Sequence, residues 1–406
     1  MRSVKIRALG ACLLAVTLIQ AAAAAPEPSP RQRAVRLGGK GVTDPEIAIR
    51  AWSVKPKAGE TTAAMTARVR KDLGKLLASD LSTLNYDSDY WRLLRYLREY
   101  PWEKMPARWK QWYLEKQPNL MLTEAQRKTL FEQAQKKRIF EMTPKELDVY
   151  LGDTFAAIPD LRARVVHYAR KNLGQPYNMY LLGEFPYELY DPQPLFDLSH
   201  GDCVVFSEHI YAMALSRNWK EFFANLLRLR YKDGQIGLTT RNHYTEADWN
   251  KNNSWLIRDV TSELGATTVS TYREKIDRAS FFGKFGIGKE FKVEMLEDTY
   301  IPAEAVPGVL AKLEDGDFVN VVRGIGDGVW VGHVGLIGHG PDGTVNFIHS
   351  VSPKSVEQPL LEYLETNVRK NRERARKGQA QFLGFKFHRL RAEELQAQIA
   401  GTPVPE

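Results

Sequence analysis

Apolar positions recur every fourth residue at Met65, Val69, Leu73, Leu77 and Leu81, a spacing that puts them on one face of a helix. Helical texture continues to about residue 142, and two start signals follow one another near its end. Thr123-Glu-Ala-Gln126 has the form of a capping box, in which the first and last side chains satisfy backbone N–H groups reciprocally. Thr143-Pro-Lys-Glu146 repeats the signal with proline at the first helical position. The second cap marks an expected boundary between a smaller helical domain, 61–144, and a larger domain, 145–391. Residues 26–60, rich in Pro, Arg and Gly without a sustained period, read as an extended leader, and 392–406 as a tail.

Past residue 145 the pattern predicts a helix from about Asp160 to Leu173, a turn at Gly174-Gln-Pro-Tyr177 and a Pro- and Tyr-rich loop to Leu198. A helix then begins at Cys203, with Cys203, Phe206, Ile210 and Ala214 on one face. Strands take over later. Phe318 to Arg323, Val329 to Ile337 and Thr344 to Ser350 are short β-type runs separated by the turns Gly326-Asp-Gly328 and Asp342-Gly343. Turns this short join antiparallel neighbours, so the three runs predict a meander, and Phe382 to Leu390 reads as a further strand. The fold class expected is α+β.

Composition changes the picture at the N-terminus. A basic start (Arg2, Lys5, Arg7), an apolar stretch from Ala8 to Ile19 and the small-residue run Ala21 to Ala25 have the layout of a secretory signal peptide, residues 1–25. Its removal takes away three positive charges and no acid, lowering the formal charge from +8 to +5. So mild an excess on an exported chain argues against a nucleic-acid partner, and no later apolar run is long enough to span a bilayer. The basic run Arg369 to Lys377 reads as a solvated helix face. Trp91, Trp102, Trp109 and Trp112 crowd with Tyr90, Tyr96, Tyr100 and Tyr113 in the helical domain; such a cluster suits glycan stacking but more commonly makes a core.

The chain holds two cysteines, and loss of the signal segment leaves Cys203 alone. A lone thiol in an oxidising compartment has no structural disulfide to make, which points to a nucleophile. Asp202 is a good N-cap, and the helix start brings unpaired N–H groups and a positive dipole end to the sulfur. Thiolate is therefore expected, with the Cys203 N–H able to receive a developing oxyanion. A nucleophile of this kind needs a base. Of the eight histidines, His333 begins one apolar strand and His349 ends the next, so a hairpin between them makes the two imidazoles neighbours. A zinc site built on His200 and Cys203 lacks paired-ligand spacing. Arg241-Asn-His-Tyr244, with Asp248 and Trp249, concentrates polar and aromatic groups in a loop suited to lining a pocket for a polar ligand.

In order along the chain, Gly174-Gln-Pro-Tyr177, Asp202-Cys-Val-Val-Phe-Ser-Glu208, Arg241-Asn-His-Tyr244, Gly316-Asp317, His333-Val-Gly335 and His349-Ser350 resemble the N-acetylmuramoyl-L-alanine amidase-like branch of the NlpC-type cell-wall cysteine peptidases. The resemblance implies a papain-like catalytic domain, with the nucleophile's helix packed on an antiparallel sheet. It also implies a Cys-His-His triad of Cys203, His333 and His349, with Tyr177, Asp202, Arg241, Asn242, His243 and Tyr244 on the substrate side. Peptidoglycan or a muropeptide is the implied substrate, in the periplasm, and neither metal nor organic cofactor is required. Val205 and Ser207 depart from the residues usual in that branch. Alternatives of the same or another class are a stem-peptide endopeptidase and a non-catalytic wall-binding protein.

Overall fold

The computed structural model describes Gly59 and residues 122–184, 190–191 and 193–400. The expected signal segment, the helix face from Met65 to Leu81 and the aromatic cluster at 90–113 lie outside the described residues. Both capping boxes form. Thr123 opens α1 (Glu124–Gln135) and Thr143 opens α2 (Pro144–Ala157), each with its side chain accepting from the N–H three residues on. Asp160 caps α3 (Leu161–Lys171), Asp202 caps α4 (Cys203–Ala214) and Asn218 caps α5 (Trp219–Arg230). Ala134, Ile139 and Met142, which precede the expected domain boundary, pack into the same core as Leu147, Phe206 and Ile210.

Eight strands form one sheet: β1 (Ile257–Asp259), β2 (Ser270–Ile276), β3 (Glu294–Pro302), β4 (Phe318–Ile325), β5 (Gly328–His339), β6 (Val345–Val351), β7 (Lys354–Pro359) and β8 (Gln381–Leu390). Their order is β2-β3-β8-β4-β5-β6-β7, with β1 paired to β8. Every pairing is antiparallel. The predicted meander is β4-β5-β6, and β8 is the further strand. The protein is thus α+β, with helices on both faces of an antiparallel sheet. One face meets α2 to α5 through Val331, Val334, Leu336 and Ile348. The other carries Val319, Val321, Ile337, Phe347 and Phe385, covered by Leu360, Tyr363 and Leu364 of α6 (Leu360–Arg376). Burial on both faces is why the central strands read as nearly continuous apolar runs rather than alternating ones.

Two irregularities in β5 break the regular ladder. Its pairing with β4 shifts between Val321↔His333 and Val322↔Val331, so Gly332 is an extra residue in a β-bulge. Bulges bend a strand and re-aim its side chains. Its pairing with β6 runs from His339↔Val345 to Leu336↔Ile348 and goes no further, so the sheet opens between the two strands just where His333 and His349 lie. Gly335 faces His349 across this opening. A Cβ built there would stand 2.5 Å from Phe347 Cε2 and 2.7 Å from His349 Cβ, so only glycine leaves room for the second histidine. Gly335→Ala is therefore expected to cost ~1–3 kcal/mol through overpacking. Gly308→Ala, where an added Cβ meets nothing within 4 Å, serves as the control. Thermal unfolding should show a lowered Tm for the first only; equal Tm values would contradict the close fit.

Candidate active site

The helix carrying Cys203 starts where it does because Asp202 is extended and turns its carboxylate back onto the first turn. Asp202 Oδ1 accepts from the N–H groups of Val204 at 3.0 Å and Val205 at 2.8 Å, and the Asp202 carbonyl takes that of Phe206. That leaves the Cys203 N–H without a carbonyl acceptor among the described residues. Phe206 and Ile210 anchor the helix in the core, and Val205, one of the unusual residues, packs under Leu181 and Leu182. Ser207, the other, spends its hydroxyl on the Cys203 carbonyl at 2.9 Å. The half-buried thiol meets the opening in the sheet, where the Val334 N–H points at the sulfur. Ser350 Oγ ties the approach loop down by donating to the Gly201 carbonyl at 2.8 Å.

Across the same opening, His333 Nε2 and His349 Nδ1 are 2.8 Å apart, with the rings nearly perpendicular at 84°. The far nitrogen of His349, Nε2, meets the side-chain amide of Gln358 at 2.8 Å. Phe347 stacks on His349 with centroids 4.3 Å apart, and Tyr363 packs edge-on to the same ring at 5.4 Å. The result is a chain Gln358–His349–His333 in which His333 keeps Nδ1 for a further partner. A tautomer that presents an unprotonated Nδ1 places the His333 proton on Nε2, donating to His349 Nδ1; the His349 proton then sits on Nε2 and requires the Gln358 amide turned so that its oxygen, rather than the nitrogen placed there, accepts it.

The electrostatics correct one expectation. Burial pushes the Cys203 thiol up to about 12, and the Asp202 carboxylate beside it adds to the rise. Burial likewise takes His333 well below the ordinary imidazole value, helped by His349 and the Arg323 cation, and takes His349 down to about 4. The cap that organises the helix start thus also sets a negative charge against the sulfur, and the dipole does not outweigh it together with desolvation. The resting pair is a neutral thiol and a neutral imidazole, not a preformed thiolate.

The remaining residues singled out in the sequence divide into two groups. Tyr177 bridges to Gly201, and its N–H donates to the Pro353 carbonyl at 2.9 Å, which brings it beside Asp202 and Cys203. Arg241 to Tyr244 turn toward protein partners. Arg241 is held by Asp191 at 2.9 Å, Glu184 at 3.2 Å and the Leu182 carbonyl. Asn242 bonds the Leu229 carbonyl and Asn252. His243 meets the Leu238 carbonyl at 2.6 Å and packs on Phe281, and burial drives its pKa well down. Tyr244 is buried against Ile276 and Leu296, its phenol pushed up to about 12. Arg241 thus ties Leu182, Glu184 and Asp191 together and Asn242 holds the end of α5, while both also line a cavity of about 360 Å³ with Lys232, Thr240 and Arg278. His200 is engaged by Ser199 and Asp197. Gln358, Tyr363 and Arg323, all at the imidazoles, carry no signal of their own in the sequence; they arrive there through strand register and the packing of α6.

Residues 167–369, half of the chain, match the family model AmiA-like, described as N-acetylmuramoyl-L-alanine amidase-like. Among solved structures, protein LPG0564 from Legionella pneumophila shares the fold with a TM-score of 0.52 at 18% identity, over 60% of this chain and 94% of that one. An N-acetylmuramoyl-L-alanine amidase from Bacteroides uniformis aligns with a TM-score of 0.44 at 23% identity, over 57% of this chain and 98% of its own. No curated protein matches the chain. Among the described residues no helix is long and apolar enough to cross a membrane. The matched span contains Cys203, His333 and His349 together with the strands and helices that carry them, and the chain belongs to the AmiA-like, N-acetylmuramoyl-L-alanine amidase-like family.

Proposed function

We propose that this protein is an exported cysteine amidase that cleaves the amide between the lactyl group of N-acetylmuramic acid and L-alanine in peptidoglycan or its fragments. The observation that carries the reading is the hydrogen-bonded His333–His349 pair at the opening into which the Cys203 thiol reaches. On this reading the domain is papain-like, a nucleophile helix set against an antiparallel sheet that bears the base, and the chain belongs with the NlpC-type cell-wall cysteine peptidases.

Because thiol and imidazole rest neutral, proton transfer and attack are coupled. As the sulfur of Cys203 bonds to the lactyl carbonyl carbon, its proton passes to His333 Nδ1, and the oxyanion settles on the Cys203 N–H. His349 accepts the Nε2–H of His333 and stabilises the imidazolium, with Gln358 fixing its orientation. Collapse of the adduct breaks the C–N bond as His333 returns the proton to the alanine nitrogen. Water, deprotonated by the same imidazole, then releases the lactyl carboxylate from the thioester. The dry, aromatic-walled setting that keeps the pair neutral is one in which a charge formed during reaction interacts strongly with fixed dipoles.

Mass analysis of products from a defined muropeptide tests the bond. A free muramic acid sugar plus an intact peptide beginning with L-alanine is expected, and Cys203→Ala should lower the rate by at least ~10³-fold. A shortened stem peptide would assign the enzyme to another bond of the same polymer, and unchanged turnover in the variant would remove the nucleophile. A pH profile tests the base. His333 works unprotonated and its pKa is depressed, so protonation silences it only at low pH, and the acid limb of kcat/KM should fall below 6.5. An acid limb above that value would contradict a neutral, buried imidazole.

A further inference from the structure

The arginines around the site differ in how their charge is met. Arg230 faces Glu208 at 3.0 Å, Arg241 faces Asp191 and Glu184, and Arg278 faces Asp248 at 2.5 Å and Glu294 at 2.8 Å. Arg323 has no carboxylate partner among the described residues. It is half-buried on β4, donates to the Tyr363 phenol, and lies close enough to His333 to act on its charge. Behind it is a second cation, Arg374 of α6, turned inward onto the carbonyl and side-chain oxygens of Asn367 rather than onto an acid. A solvated face over 369–377 describes its neighbours, not this residue.

The backbone is built to hold Arg323 there. A Cβ on the bulge residue Gly332 would lie 2.6 Å from Arg323 Cδ and 3.2 Å from its Nε, so the arginine stem crosses the strand over the one position without a side chain, directly before His333. Two guanidinium groups near each other, partly removed from water and bonded only to neutral acceptors, are uncompensated; a carboxylate is the group whose geometry and charge they fit. Their side of the cleft also follows from the chemistry. A general acid stands on the leaving group's side of the scissile bond, and Arg323 crosses β5 at Gly332, directly before His333, the residue that returns the proton to the leaving amine.

We infer that Arg323, backed by Arg374, forms a subsite for a carboxylate on the departing peptide, namely the free α-carboxylate of the γ-linked D-glutamate that follows the released L-alanine. This rests on the amidase reading. Many walls carry that group as a carboxamide, so the subsite would make the enzyme discriminate amidated from unamidated stems. Arg323 binds and orients; His333 and Cys203 do the chemistry.

The test compares two N-acetylmuramoyl tripeptides, L-Ala-γ-D-Glu-L-Lys and its D-isoglutamine counterpart, which differ only in that α-position. Wild type should favour the carboxylate by ~10- to 100-fold in kcat/KM, and Arg323→Gln should bring the ratio close to one. Arg323→Lys, which keeps the charge but not the fork, should retain part of it, and Arg374→Gln reads the same ratio should Arg323→Gln fail to fold. A wild-type ratio near one with sugar released from both substrates overturns the subsite and leaves the amidase reading intact. A ratio kept in Arg323→Gln also overturns it, because the arginine would then serve His333 or the fold alone. No sugar released from either substrate overturns both.

Discussion

The point on which the site depends is the place where the β5–β6 ladder stops. Had the two strands stayed paired beyond Leu336↔Ile348, Gly335 and His349 would be ordinary ladder partners, and the sheet would be closed to the helix on its other face. The early end of pairing opens a slot. The thiol of Cys203 reaches into it from the α4 side, while His333 and His349 bond to each other on the side covered by Tyr363. Gly335 gives His349 room and the bulge at Gly332 turns His333, so two glycines in one strand set the geometry of both imidazoles.

That slot is dry, and dryness decides the electrostatics. The helix start offers the sulfur N–H groups and a dipole, which by themselves favour thiolate. Asp202 occupies two of those N–H groups, adds its own charge, and the walls of Phe347 and Tyr363 remove water from the imidazoles. Desolvation acts against every charged form in the slot and wins. The consequence is that little of the thiol is ionised at rest. Any charge that develops in so dry a slot interacts strongly with the fixed dipoles around it.

Much of this is legible in the sequence, for physical reasons that also explain what is not. Thr123, Thr143 and Asp202 are local signals, since a cap is decided within four residues, and all three form. The β4-β5-β6 meander is local too, its turns punctuated by Gly326, Gly328 and Gly343. The charged strands β2 and β3, with sequences STYREKI and EMLEDTYIP, are joined not by a short turn but by a segment that holds the helix Arg278–Gly283, and they do not stand out from the chain around them. The expected thiolate at Cys203 fails because a cap is visible in sequence and burial is not. Arg241 pairs with Asp191, fifty positions away, and Arg323 meets Tyr363 only through the docking of α6; spacing along the chain carries no trace of either contact. His333 and His349 are within reach because one short hairpin joins them.

Whether Cys203 accepts an acyl group from the sugar side of the substrate is tested most directly by rapid acid quench of the enzyme mixed with a muropeptide, followed by mass analysis of the Cys203-containing fragment. A thioester-linked muramoyl adduct on Cys203, with the free peptide in solution, is expected. An adduct carrying the stem peptide instead of the sugar, or turnover without any adduct that persists in Cys203→Ala, would contradict it.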